Sequence, residues 1–221
     1  MHIPDGYLSP QTYLPAYAIA LPLLARGARR LRAALDEETL PTLSALTGLA
    51  FVVQMINIPL PGGTTGHAVG TATLAILFGP WAASCAMGLV LLIQALLFGD
   101  GGITTFPVNT LAMGFAAAFT AHLLYRAAHR RLPDHVAAFV AGWGSVVAAA
   151  TITACALGIQ PAIAHDSAGQ PLFFPIGLAV TVPAIVGAHA LVFGVAEGAY
   201  TAAVIGLVRR TATATAEGPS T

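Results

Sequence analysis

Lysine is absent from the 221 residues, and charged residues of every kind make up only 8% of them. An ordinary soluble domain carries roughly a quarter charged residues, so this shortage excludes a water-soluble fold. The formal net charge is zero, and the nine basic residues, all arginine, stand in short groups beside apolar runs. That arrangement excludes the extended basic face needed to hold nucleic acid. Cysteine is scarce as well. Cys85 and Cys155 lie in separate apolar runs with no CxxC spacing, which gives no support to a disulfide framework or a thiolate metal site. Both are expected to be buried free thiols. The first apolar run, over 13–25, has no basic segment before it and no small-residue cleavage site after it. It reads as a retained helix with Met1 as the mature terminus, not as a signal peptide.

What the sequence does contain is 57% hydrophobic residues, together with 23 glycines and 15 prolines, many of them inside apolar runs. Membrane helices tolerate such residues because neighbouring helices re-satisfy the freed backbone groups. A helix needs about 20 mostly apolar residues to cross a bilayer. Seven stretches qualify, at approximately 11–25, 40–58, 66–79, 81–98, 107–125, 136–158 and 180–208. The third is short, and the first is interrupted by Pro15 and Pro22. The expected fold is an all-α membrane protein of about seven transmembrane helices, with a single transmembrane domain over 1–210 and a disordered cytoplasmic tail over 211–221.

Arginine placement provides an independent check, because positive charge in short loops is retained on the cytoplasmic side. The groups are Arg26 to Arg32, Arg126 to Arg131, and Arg209 with Arg210. Seven alternating spans put all three on one face. The same count sends the N-terminus and the loops at 59–65, 99–106 and 159–172, which lack any basic side chain but histidine, to the opposite, extracytoplasmic face.

Polar residues are costly at membrane depth, so their clustering is informative. Three glycine-bearing segments gather on the extracytoplasmic side: Met1-His2-Ile3-Pro4-Asp5-Gly6, Pro61-Gly62-Gly63-Thr64-Thr65-Gly66-His67 and Gly99-Asp100-Gly101-Gly102-Ile103. Histidine in second position offers three nitrogens within one dipeptide: the Met1 amine, the His2 amide and the His2 imidazole. Binding through them closes two fused chelate rings in one plane and leaves a fourth planar position that His67 can fill. Planar nitrogen donors suit Ni(II) or Cu(II), and Co(II) can accept them, whereas Zn(II) prefers a tetrahedron and Ca(II) or Mg(II) prefer oxygen. The residues alone leave a second reading open, in which His2 is an incidental residue at a frayed terminus and His67 a helix-end histidine bonded to a carbonyl.

These three segments, with Tyr7-Leu8-Ser9-Pro10 continuing the first, closely resemble the signature segments of the CbiM/NikM family, the metal-specific membrane component of energy-coupling-factor (ECF) cobalt and nickel importers. The resemblance covers nearly the whole chain and includes the helix count and the outward N-terminus. It implies that the Met1 amine, the His2 amide and imidazole and the His67 imidazole ligate Ni2+ or Co2+ as transported substrate. It further implies a coupling transmembrane protein, ATPase subunits and a small accessory membrane subunit as partners, membrane lipid as surroundings, and a place in the bacterial inner membrane serving cobalamin biosynthesis or nickel supply. Around the fifth helix the family pattern has an asparagine, matched here by Asn109, although Pro107 departs from that pattern. Asn109 is expected to support the site by orienting an imidazole or else to form an interhelical hydrogen bond. Asp100 is expected either to attract cations at the rim or to serve as a turn residue.

No GxxxxGK[ST] loop is present, so energy must come from elsewhere; the resemblance implies that ATP hydrolysis takes place on partner subunits and that the chain is not an enzyme. His189 and Glu197, eight positions apart on one helix face, suggest either a proton relay or a structural pairing with a neighbouring helix. The relay would suit an alternative reading as a proton-coupled secondary metal transporter. A membrane-embedded metalloenzyme is a further alternative, but it finds no HExxH pair here. No ligand role falls to His122, His129 or His135. The topology is checked with single reporter cysteines in cysteine-free protein: one at Thr64 should label from outside intact cells and one at Arg130 should not, and reversed labelling refutes the arrangement.

Overall fold

The computed structural model describes residues 1–34, 36–60 and 64–217. Seven helices run through them: α1 (Pro10–Ala34), α2 (Thr39–Gln54), α3 (Thr71–Phe78), α4 (Pro80–Phe98), α5 (Phe106–Ala128), α6 (Asp134–Ile163) and α7 (178–217). A small antiparallel hairpin, β1 (Ile58–Leu60) with β2 (Thr64–Gly66), joins α2 to α3 with Ile58 opposite Gly66. The Pro61-Gly62-Gly63 part of the second signature segment lies outside the described residues.

Four helices, α4 to α7, are long and apolar enough to cross a membrane. Leu97 on α4, Leu123 on α5, Ile159 on α6 and Leu191 on α7 point out of the protein, an apolar exterior suited to lipid. The other three helices depart from the expected spans. Pro15 and Pro22 do not break α1, which continues through both and carries its arginines on its own last turns instead of in a loop. The third span shrinks to the eight residues of α3, about 12 Å of helix, which cannot cross a bilayer alone. Instead, the chain before α3 runs non-helically into the protein and turns at Gly70, whose φ of +79° favours glycine. At the other end α7 continues to Glu217, so the tail expected to be disordered extends the last helix through an alanine-rich stretch that favours helix. Residues 218–221 lie outside the described ones. Of the two cysteines expected to be buried, Cys85 is only half-buried and Cys155 is exposed. A membrane helix can present such a residue to lipid, which removes the need to bury it in protein.

The three arginine groups gather at one end of the bundle. Arg209 pairs with Asp134 at 2.7 Å and donates to the Tyr125 hydroxyl at 2.7 Å. Arg30 and Arg26 lie 4.8 and 5.6 Å from the Trp81 ring, which meets Phe119 edge to face. The N-terminal segment and the 99–105 loop occupy the other end. Three wide π-helical turns occur at Gln94–Phe98, Thr110–Ala116 and His189–Phe193, each beginning at a buried polar residue. Such turns in α-helices are frequent at functional sites.

Small residues let the long helices approach closely. On α6, Ala138, Ala141, Gly142, Ser145 and Ala149 are all buried. A Cβ added at Gly142 would stand 2.7 Å from Thr201 Oγ1 and 2.8 Å from the Glu197 carbonyl oxygen of α7. Since backbone cannot swing aside as a side chain can, Gly142→Ala is expected to cost about 1–3 kcal/mol of stability, read as a lower melting temperature of the detergent-solubilised protein.

Candidate metal centre

The N-terminal segment is not a frayed end. Met1, Ile3, Leu8 and Ser9 are all buried, so the peptide groups of this non-helical stretch need partners inside the protein. Asn109 supplies two: its Oδ1 accepts from the Ile3 N–H at 3.0 Å and its Nδ2 donates to the Ile3 carbonyl at 3.1 Å. The Thr105 hydroxyl donates to the same carbonyl. The Asp5 carboxylate accepts from the N–H groups of Ile103 at 3.0 Å and Thr104 at 2.8 Å and from the Thr104 hydroxyl. Farther along, Gln160 Oε1 accepts from the Ser9 N–H at 2.9 Å, and the Tyr7 carbonyl accepts from the Phe174 N–H.

This anchoring brings His2 beside His67, with ring centroids 4.7 Å apart. Both side chains are shut off from solvent: His67 is 1% exposed and the His2 side chain 2%. The His67 Nδ1–H donates to the Ala68 carbonyl at 3.0 Å, leaving its Nε2 with the lone pair. In His2, Nε2 lies 3.2 Å from Gln54 Oε1 and Nδ1 faces the Asp100 carboxylate. Among the described residues His67 Nε2 has no hydrogen-bond partner. Asp100 Oδ1 comes within 2.7 Å of His2 Nδ1 as an ion-pair neighbour, while Asn57 Nδ2 donates to Asp100 Oδ2 at 3.2 Å. A buried His67 nitrogen without a donor thus stands beside the His2 ring and its carboxylate partner.

Electrostatics favours the nitrogen bases. Burial lowers the Met1 amine to about 5, against the opposing charge of Asp100, which favours the neutral amine at neutral pH. Burial likewise lowers His2, although Asp100 acts the other way. Burial pushes Asp100 up, but contact with His2 and the bond from Asn57 hold it below the usual carboxylate value. Among the described residues no group of three or more His, Cys, Asp or Glu side chains is placed to hold a metal.

Met1, His2, His67 and Asp100 are thus brought together as the sequence suggested. Asn109 joins them differently from one of its expected roles: its amide holds the Ile3 peptide, and no hydrogen bond from it to an imidazole is found among the described residues. Gln54 was not anticipated. It is buried, contacts His2, and donates to the Val69 carbonyl at 3.0 Å and Met87 Sδ at 3.0 Å. Its signal in the sequence was a lone amide inside the apolar run Ala50-Phe51-Val52-Val53-Gln54-Met55.

The family model described as "CbiM: Cobalt uptake substrate-specific transmembrane region" matches residues 2–215. The chain belongs to the CbiM family. Similar proteins include "Probable fused nickel transport protein LarMN" of Lactiplantibacillus plantarum, 41% identical over 96% of this chain and 65% of the relative. "Fused nickel transport protein NikMN" of Rhodobacter capsulatus is 40% identical over 95% of this chain and 62% of its own length. This CbiM-family chain accordingly spans somewhat less than two thirds of those fused relatives. A solved structure, "Crystal Structure of an Truncated Transition metal Transporter", superposes with a TM-score of 0.92 at 41% identity, covering 96% of this chain and 99% of that one.

In the family's glycine-rich GDGG segment, Gly102 passes so close to the N-terminal segment that a Cβ there would fall 2.4 Å from the Asp5 N. Gly102→Ala is therefore expected to dislodge Asp5 and loosen residues 1–5. Hydrogen exchange at the Ile3 amide provides the check, with faster exchange expected in the variant and unchanged protection refuting the anchoring role.

Proposed function

We propose that this chain is the substrate-binding membrane subunit of an ATP-driven ECF-type nickel or cobalt importer, capturing the divalent ion at its N-terminus through Met1, His2 and His67. One observation carries this reading: His67 Nε2 is buried without a hydrogen-bond partner among the described residues, and its ring lies 4.7 Å from that of His2, whose Nδ1 a metal ion would take over from Asp100. A buried nitrogen lone pair left without a donor costs stability unless a ligand uses it. The Met1 amine is near enough to act electrostatically on both rings. Together with the His2 amide these groups make a four-nitrogen set suited to planar Ni(II) and acceptable to Co(II). Asp100 adds a carboxylate beside the set and lowers the local charge as the ion arrives. The names of the relatives, nickel transport proteins among them, support the same cargo.

In this reading the capture end faces outward and the arginine end faces the cytoplasm of a bacterial inner membrane. The ATPase subunits and the coupling transmembrane protein supply the energy, since this chain has no phosphate-binding loop of its own.

Acetylation of Met1 removes the amine lone pair without adding a residue. Acetylated protein, His2→Ala and His67→Ala are each expected to bind Ni(II) more weakly, by well over about tenfold, while His129→Ala retains full affinity. Calorimetry on purified protein, with the terminal residue verified by intact mass, provides the measurement. Unchanged affinity after acetylation would remove the amine from the ligand set.

A further inference from the structure

We propose that Glu197, far along the last helix from the capture end, is a positioning residue that holds His67 in place for the ion. The proposal rests on the reading of His67 as a ligand. Glu197 is fully buried on α7. Its Oε2 accepts from the Val69 N–H at 2.6 Å, and its Oε1 accepts from the Gly70 N–H at 2.9 Å. These two amides lie two and three residues after His67, at the entry to α3.

That backbone needs a partner supplied from elsewhere. Glu197 lies about 18 Å along the axis from Arg209, at a rise of 1.5 Å per residue, so the bonded amides sit deep in the bundle and away from either end. Non-helical backbone at such depth is tolerated only where protein satisfies it. Glu197 meets that requirement and belongs to none of the ion pairs found among the described residues. Gln54 then takes the opposite side of the same residue by donating to the Val69 carbonyl at 3.0 Å. Val69 is thereby gripped at both its N–H and its C=O, by α7 and α2. The His67 ring hangs from this fixed stretch, with its Nδ1–H tied to the Ala68 carbonyl and its Nε2 directed to the cation site.

This assignment also explains why Glu197 and His189 share a helix face without acting on one another. The His189 Nδ1–H donates to the Ile185 carbonyl within its own helix, and both Glu197 oxygens are engaged by α3. No hydrogen bond connects the two side chains among those found for the described residues.

The test uses the full chain with a free amino terminus, purified in detergent, and Ni(II) alone as the probe. Affinity and the ligand-field absorption of bound Ni(II) are measured for wild type, Glu197→Ala, Glu197→Gln, His67→Ala and Ala121→Leu. The last overpacks a fully buried site on α5 and controls for lost stability. Glu197→Ala is expected to weaken Ni(II) binding by about 10- to 100-fold and to give an absorption spectrum like that of His67→Ala, because the fourth nitrogen no longer reaches the ion. Glu197→Gln keeps one good acceptor and should fall between Glu197→Ala and wild type; if Glu197→Ala does not fold, this variant decides. Ala121→Leu should melt earlier yet bind as wild type. Wild-type affinity and spectrum in the Glu197 variants, with binding lost in His67→Ala, would overturn the positioning role and leave the ligand assignment standing. Retained binding in His67→Ala would overturn the ligand assignment and this proposal with it. An equal loss in Ala121→Leu would assign the effect to stability and overturn the positioning role.

Discussion

A peptide chain that enters a water-poor helical bundle without being helical must find a hydrogen-bond partner for each buried N–H and C=O, and the capture end of this protein is built around that requirement. Each unmet group would cost several kcal/mol in hydrocarbon surroundings. Two non-helical stretches enter. The N-terminal segment is met by Asn109, Thr105 and Gln160, with Asp5 returning bonds to the 103–104 backbone. The approach to α3 is met by Glu197 and Gln54. Of the intramembrane polar side chains singled out in the sequence, Asn109 and Glu197 serve these stretches, whereas His189 bonds within its own helix.

With the backbone satisfied, the groups that remain unsatisfied gain meaning. His67 Nε2 is a buried nitrogen without a partner beside the His2 ring, and His189 Nε2 is another among the described residues. The same packing dehydrates the Met1 amine and keeps it unprotonated at neutral pH. Under the proposed function, an ion entering this place would exchange its water for nitrogen donors already held in position, so little ordering would remain to oppose binding. Glycines make the convergence possible, since side chains at Gly102 or Gly142 would fall on neighbouring backbone.

Much of this was legible in the sequence, and for identifiable reasons. The 8% charged content announced a membrane protein. The confinement of arginine to three groups correctly anticipated that they would share one end of the bundle, where Asp134, Tyr125 and Trp81 now engage them. The adjacency of the segments containing His2, His67 and Asp100 followed from the same parity and from the family resemblance. The third helix was misjudged because an apolar run reads alike whether it is helical throughout or, as with 66–79, only over Thr71–Phe78. Hydropathy records burial, and both versions are buried.

The sequence by itself determined the solvent, the helical class and which short segments hold the chemistry, because composition, charge position and residue type are local properties. Only the tertiary structure decided that Asn109 grips the Ile3 peptide and not a histidine, that Gln54 touches His2, and that Glu197 reaches 127 positions back along the chain to Gly70. Hydrogen bonds of this kind depend on which donor and acceptor meet within about 3 Å after the helices have packed, and spacing along a single chain carries no record of that meeting.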